Sequence, residues 1–374
     1  MKKTVNVLVF IIIFFFIFSV NSFAEGSIEN ELIEKSQVER IRDNLDKEAK
    51  EFLSDVGADS SDSSLLLNLN YKSFLKAIIN SFKENLKDIK LHFLSIITAV
   101  LLCSLFDSFS LSFKEKNKGL YNLCTCFFVA SVSLIPLINL INSSEGLIIA
   151  SCELSGAVIP ILCTISAAQG KTISAGVFNS AAIVFSQLIS EAYVYFFVPG
   201  ANILLALSIS SCTDSKGITK EIVKIIKKYF LILLSVCASL YFTIIGIKGS
   251  LSTAADESAI KALKLAAGNF VPVIGGAISD SASALLSSLS ITKSAVGVFG
   301  ILALLSIFVP LLIKILLWIL GFDLCSALAG SFSQENINEL LKTVSSVLSI
   351  FAVMLIFCAL MMIVNIGILT SLRG

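Results

Sequence analysis

The run SAVGVFGILALLSIFVPLLIKILLWIL, residues 294–320, carries a single charged side chain, Lys314. About twenty apolar residues are enough to cross the hydrocarbon core of a bilayer as a helix. Runs of the same character lie near residues 91–111, 119–141, 147–168, 173–197, 200–212, 229–247 and 344–368. A water-soluble core has no use for so many. Hydrophobic residues make up 56% of the 374 and charged residues only 15%. The sequence therefore predicts an all-α, polytopic transmembrane helical protein with seven or eight spans, whose surroundings are the lipid bilayer. The fifth run is short and begins at Pro199-Gly200, which predicts a broken or tilted helix there. A net charge of +1 leaves no basic footprint for nucleic acid.

Immediately upstream of residues 294–320 lies a segment of different composition, IKGSLSTAADESAIKALKLAAGNFVPVIGGAISD, residues 247–280. Gly, Ala, Ser, Lys and Asp replace the large apolar residues. Gly268, Pro272, Gly275 and Gly276 allow the backbone to bend, and small side chains let helices approach closely. Residues 252–267 read as an amphipathic helix with Ser252 or Thr253 as its cap. Residues 266–289 either dip into the membrane and return on the outer side, or cross it. The re-entrant form sends residues 294–320 inward and leaves Gly374 outside. Asp280 favours it, because a lipid-facing carboxylate at the bilayer centre costs about 2.5–3.5 kcal/mol on insertion scales.

A weak internal repeat links this region to an earlier one, across residues 119–197 and 229–320. Gly156-x-x-x-Pro160 is followed by KTISAGVF from Lys171, and Gly268-x-x-x-Pro272 by KSAVGVF from Lys293. Repeated halves with Gly/Pro interruptions in matching places are typical of transport folds. The competing reading is coincidence among common residues.

At the N-terminus, Lys2 and Lys3 precede an apolar run, residues 5–20, and then Ser22-Phe23-Ala24. This is the pattern of a secretory signal peptide over residues 1–24, cleaved after Ala24; the alternative is an uncleaved first transmembrane helix. Residues 25–90 follow as an extracytoplasmic, amphipathic helical region, and residues 91–374 as the membrane domain. Phe74, Leu75, Ile78, Phe82, Leu86 and Ile89 share one helix face. That face either docks on a membrane or partner, or packs against the short helix before it. With residue 90 outside, the lysines of residues 114–118 and 216–228 are cytoplasmic. The outside loops near Ser143 and Pro199 then carry no Lys or Arg, as the positive-inside rule expects.

The search for chemistry is mostly negative. His92 is the only histidine, and the nine cysteines fall almost entirely within apolar runs. That spacing reads as apolar packing rather than a disulfide framework or a metal site. The sequence has no phosphate-binding loop, HExxH or GxSxG pattern. No cofactor and no catalytic residue is expected. The intramembrane charges remain: Glu153 and Glu191 lie within spans and are candidates for a polar path or a subunit contact. Asp107, Asp323 and Lys314 read as interfacial, snorkelling residues.

The run KGSLSTAADESAIKALKLAAGNFVPVIGGAISDS from Lys248 closely resembles the characteristic segment of the stage III sporulation protein AE family. ELSGAVIP at Glu153 and KSAVG at Lys293 add to the resemblance. It implies a membrane protein of endospore-forming bacteria, made in the mother cell and placed in the membrane around the forespore. It further implies partners, the other stage III sporulation A-operon proteins and stage II sporulation protein Q. With them it would form a secretion-like channel needed for late forespore development. The family has no assigned catalytic residues. Two functions remain open: a non-enzymatic channel subunit, and an autonomous secondary transporter working around Glu153 and the Gly268–Pro272 break.

Overall fold

The computed structural model describes residues 47–57, 71–110, 115–210, 218–268 and 275–371. The signal-peptide region and Pro272 lie outside the described residues. Among those described there is no strand. Eight α-helices follow one another: α1 (Lys47–Val56), α2 (Tyr71–Ser110), α3 (Glu115–Ala168), α4 (Thr172–Ala192), α5 (Val198–Ser210), α6 (Ile218–Gly268), α7 (Gly275–Ser331) and α8 (Glu335–Ser371). A π turn, Tyr193–Phe197, joins α4 to α5. Six stretches are long and apolar enough to cross a membrane.

The eight apolar runs of the sequence become six because two pairs fuse. Residues 119–141 and 147–168 both belong to α3, a helix of 54 residues. The loop expected near Ser143 does not form. Ser143 and Ser144 instead donate to the carbonyls of Leu140 and Ile141 within the helix, and the Ser144 hydroxyl also pairs with the Tyr193 hydroxyl at 2.7 Å. A polar stretch that reads as a turn is thus satisfied inside a helix. The loop expected near Pro199 is absent too. The π turn widens the helix just before it, with Val198 N–H bonding the Tyr193 carbonyl, and Pro199 sits in the first turn of α5. That early position is where a missing N–H costs least. The amphipathic helix of residues 71–90 likewise runs unbroken into the first span as α2. Ser252 and Thr253 are interior to α6 rather than caps.

The centre of the bundle is the α7–α8 hairpin. Its antiparallel register is set at one end by Ser326 Oγ on Asn338 Oδ1 and by Ser345 Oγ on Asp323 Oδ1, both 2.7 Å. At the other end Gly297 faces Thr370, and Gly300 lies between Val158 of α3 and Ile366 of α8. α3 runs parallel to α8, with the Cys126 sulfur beside the Asn336 carbonyl at the lower end. From Cys126 to Val158, and from Asn336 to Ile366, the rise is about 45–48 Å at ~1.5 Å per residue. The middle of that length is Asn142 on α3 and Phe351 on α8. Tyr193, whose ring centroid lies 6.2 Å from that of Phe351, is at the same height. On α7 the matching position is next to Lys314.

Three glycines on α7 make close packing possible. A Cβ at Gly297 would land on Thr370, at Gly300 on Val158, and at Gly321 on the Phe93 ring of α2. Phe93 continues into an aromatic group with Trp318 and Phe322, at 5.0 and 6.5 Å. On the outside, α1 packs on α2 through Phe52 and Phe74, edge to face at 6.0 Å, and Asn80 donates to Asp55 at 3.0 Å. Helix-on-helix packing therefore accounts for part of the face of residues 71–90. Leu75, Ile79, Phe82 and Leu86 of the same helix stay exposed. Cys126 is disulfide-bonded, which departs from the expectation that every cysteine only packs; the other described cysteines are free.

At the upper end α3 turns into α4 through Gln169 and Gly170, with Gly170 at φ +88°. α4 has no cap from its own flanking residue, Lys171. The cap comes from α6. Asp256, 1% exposed, accepts from Ile173 N–H at 3.0 Å and Ser174 N–H at 2.9 Å, one bond to each carboxylate oxygen. A carboxylate at a helix N-terminus satisfies orphan donors and meets the positive end of the helix dipole. The segment 247–280 thereby ties α6 to the α3–α4 hairpin. Lys171 and Lys293, which head the two copies of the weak repeat, are both buried at this end, near enough for their charges to repel.

Two expectations follow. Replacing Asp256 by Ala removes a two-bond cap and should cost roughly 0.5–2 kcal/mol. A melt of the purified protein in detergent should show it below both wild type and Asp256→Asn, which keeps one acceptor. Gly321→Leu should over-pack α2 against α7 and cost about 1–3 kcal/mol. Gly156→Ala should leave the same melt unchanged or raised, because nothing lies within 4 Å of that Cβ position.

Candidate functional site, a polar seam on α3 and α4

Tertiary packing buries one face of α3 against α7 and α8 and leaves the opposite face open. Along that open face the spacing of three and four residues puts Asn142, Glu145, Glu153, Gly156 and Thr164 in one row. Asn142, Glu153, Gly156 and Thr164 are exposed, and Glu145 is partly buried. α4 runs antiparallel beside it, and its open row contains Gly176, Ser180, Gln187 and Glu191, all exposed. The two rows form a seam of polar and small residues in the middle of an otherwise apolar bundle.

Polar contacts stitch the seam. Gln187 Nε2 donates to Glu191 Oε1 at 3.2 Å, one helical turn away, and the Cys152 thiol faces Gln187 Oε1 at 3.9 Å. Asn202 of α5 donates to Asn142 Oδ1 at 3.4 Å, while its own Oδ1 is buried without a hydrogen-bond partner. Tyr193, fully buried, holds Ser144 from below the seam. Among the described residues no hydrogen bond or ion pair reaches Glu145 or Glu153. Both lie close enough to their neighbours for charge to be felt: Glu145 at Tyr193, Glu153 and Glu191 at Cys152.

The height of these groups matters more than their number. Asn142, Glu145 and Glu191 are within about 5 Å of the bundle's mid-height, and Glu153 is about 16 Å above it, by the helical rise. A membrane carboxylate normally turns inward to a partner or a water-filled cavity. Here the carboxylates point away from the packed interior.

The sequence-predicted candidates are distributed as follows. Glu153 on α3 and Glu191 on α4 both lie in the seam, at different heights, each near enough to Cys152 for its charge to be felt. Gly156 lies in the same row, but neither Gly156 nor Pro160 interrupts α3, which is helical throughout. α6 is described to Gly268 and α7 from Gly275, and the expected break between them lies outside the described residues. Asp280 lies in the first turns of α7, with its side chain outside the described residues, and residues 275–289 continue directly into the following span. α7 then runs towards the end bearing Asp323 and Glu339, and α8 returns. Glu145 was missed, because Asn142–Gly146 reads as a loop; its row spacing with Glu153 was the available signal. Asp256 was missed because a cap from more than eighty residues away leaves no local mark. Among the described residues no group of three or more His, Cys, Asp or Glu side chains could hold a metal ion.

Comparison with known proteins bears on what carries this seam. A family model described as stage III sporulation protein AE matches residues 62–372. A Bacillus subtilis (strain 168) protein named stage III sporulation protein AE is 24% identical over 222 residues. That match covers 58% of this chain and 56% of the relative, so it spans little more than half of the relative's length. No solved structure matches the chain. The family match takes in the six candidate membrane spans of the described residues, the capped turn and the seam, and by it the chain belongs to the stage III sporulation protein AE family.

Proposed function

We propose that the chain is a non-enzymatic integral membrane subunit of a secretion-like channel complex linking mother cell and forespore, required for late forespore development. The observation that carries this reading is the outward-facing seam. Carboxylates and amides within membrane-length apolar helices, on the open side of a packed bundle, are costly against lipid. They make physical sense when another protein surface or a water-filled path covers them. The family membership supports the sporulation context. Its partners on this reading are the other stage III sporulation A-operon proteins and stage II sporulation protein Q.

The same reading puts the chain in the mother-cell membrane around the forespore, with the N-terminal region outside the cytoplasm. The lysines support that orientation. Lys224, Lys227 and Lys228 lie in the first turns of α6, in the half of the bundle nearer the junction of α7 and α8, where Lys227 Nζ donates to Ser346 Oγ of α8 at 3.2 Å. Cytoplasmic loops collect such residues.

An autonomous transporter would hold its substrate inside the bundle, between broken helices. Glu153 is exposed and α3 passes unbroken through Gly156 and Pro160, which favours the subunit reading over a site built around that part of α3.

Reporters inserted at Lys116 and Asn338 are expected on one side of the membrane, and reporters at Glu257 and after Ser371 on the other. A split within either pair would refute six crossings in this register. Full-length tagged chain purified during sporulation should bring down the other A-operon proteins, and recovery of none counts against the subunit reading. Gly275→Leu with Gly276→Leu should lower heat-resistant spore counts sharply while the protein still reaches the membrane. The purified chain alone in liposomes should pass no solute. Flux that disappears in Glu153→Gln would restore the transporter.

A further inference from the structure

The seam has a basic counterpart on α2. Lys76, Lys83, Lys87 and Lys90 recur seven, four and three residues apart, which places them on one helix face. All four are exposed, whereas Ala77, Ser81, Asn85 and Ile89, on the opposite face, are buried. The lysine stripe therefore lies on the open side of α2, with the exposed Leu75, Ile79, Phe82 and Leu86 beside it. No hydrogen bond or ion pair reaches these lysines among the described residues. Two sets of contacts fix the height of the stripe. At the lower end Cys103 Sγ lies 3.8 Å from the Thr125 carbonyl of α3. From that contact, at ~1.5 Å per residue, Lys76 is about 40 Å up α2 and Glu153 about 42 Å up α3. Lys83 and Glu145 are both about 30 Å up, with Glu191 at nearly the same height. The other route runs through α7. Gly321 against Phe93 puts Lys76 level with Leu304, and the α7–α8 and α8–α3 contacts carry that height to within a turn of Glu153. One chain thus presents lysines and carboxylates at matching heights on two open faces, and does not join them internally.

We infer that the α2 face of a second copy of this chain covers the seam, with Lys76 set against Glu153, and Lys83 and Lys87 against Glu145 and Glu191. This names a partner for the subunit proposed above and rests on that reading. Copies inserted the same way into one membrane are related by rotation about its normal, which leaves depth unchanged. With the helices along the normal, groups level within one copy are level across any contact between copies. The charges therefore meet pair by pair with no shift of one copy along the other. A partner of different sequence would have to reproduce that spacing independently. The small residues beside the carboxylates, Gly156, Gly176 and Ser180, are exposed and leave room for the large apolar residues of α2. A two-fold axis makes this contact twice in one pair of copies, and a higher rotation makes it once at each step of a ring.

The test is the mass of the full-length protein in nanodiscs or mild detergent, read by light scattering or native mass spectrometry. Wild type is expected as an oligomer. One variant reverses the stripe, with Lys76→Glu, Lys83→Glu and Lys87→Glu. The other reverses the seam, with Glu145→Lys, Glu153→Lys and Glu191→Lys. Each should fall to one protomer. Mixing the two variants, or combining all six changes in one chain, restores opposite charges at every contact and should restore the oligomer. Restoration also shows that each reversed variant is folded. A monomeric wild type, an oligomer unaffected by either reversal, or failure of both restorations overturns the proposal. The same preparations are tested for recovery of the other sporulation proteins. A monomeric wild type that still recovers them removes the second copy and leaves the subunit reading standing. An oligomer that recovers none keeps the second copy and removes the channel partners, and a monomer that recovers none removes both.

Discussion

The bundle depends on how closely α7 can approach its neighbours. Gly297, Gly300 and Gly321 each face a different partner: α8, α3 and α2. In lipid there is little hydrophobic drive to bring helices together, because the tails are as apolar as the side chains. Contact area and close approach have to supply the attraction. One helix with a glycine towards each of three neighbours solves this without lengthening any of them. The burial pattern agrees. α7 and α8 carry long rows of buried residues, while the candidate span on α6, residues 221–244, is only 11% buried inside the chain.

That division has an electrostatic side. The inner helices pair several of their polar groups among themselves, as in Ser326 with Asn338, Asp323 with Ser345, and the buried Tyr241 hydroxyl with Asn365. The outer hairpin does not. Glu145 and Glu153 face outward without an ion pair, and the small residues around them leave the surface open.

Much of the membrane architecture was legible in the sequence because hydrophobic run length is a local property. Glu153 and Glu191 were legible for the same reason: a carboxylate within an apolar run stands out. The loops at Ser143 and Pro199 misled because their residues have two uses. Asn, Ser and Gly make turns in water, and the same hydroxyls bond back to carbonyls inside a membrane helix. What decides between them is Tyr193, 49 residues from Ser144. Asp256 is the sharper case. Its neighbourhood reads as an amphipathic helix, and nothing local marks this one carboxylate as the cap of a helix that begins at Thr172. The segment 247–280 stands out for its glycines and Pro272, yet its described contribution is a charge.

The π turn at Tyr193–Phe197 has a consequence for how this architecture tolerates change in length. A π turn is an α-helix that has taken in one extra residue. Deleting a residue there would return the segment to regular geometry and swing everything beyond it by about 100° around the helix axis. Asn202 would be carried away from Asn142, and α5 would offer α3 a different side. The five residues thus act as a phase adjuster, converting one position of chain length into the rotational setting of the helix that follows.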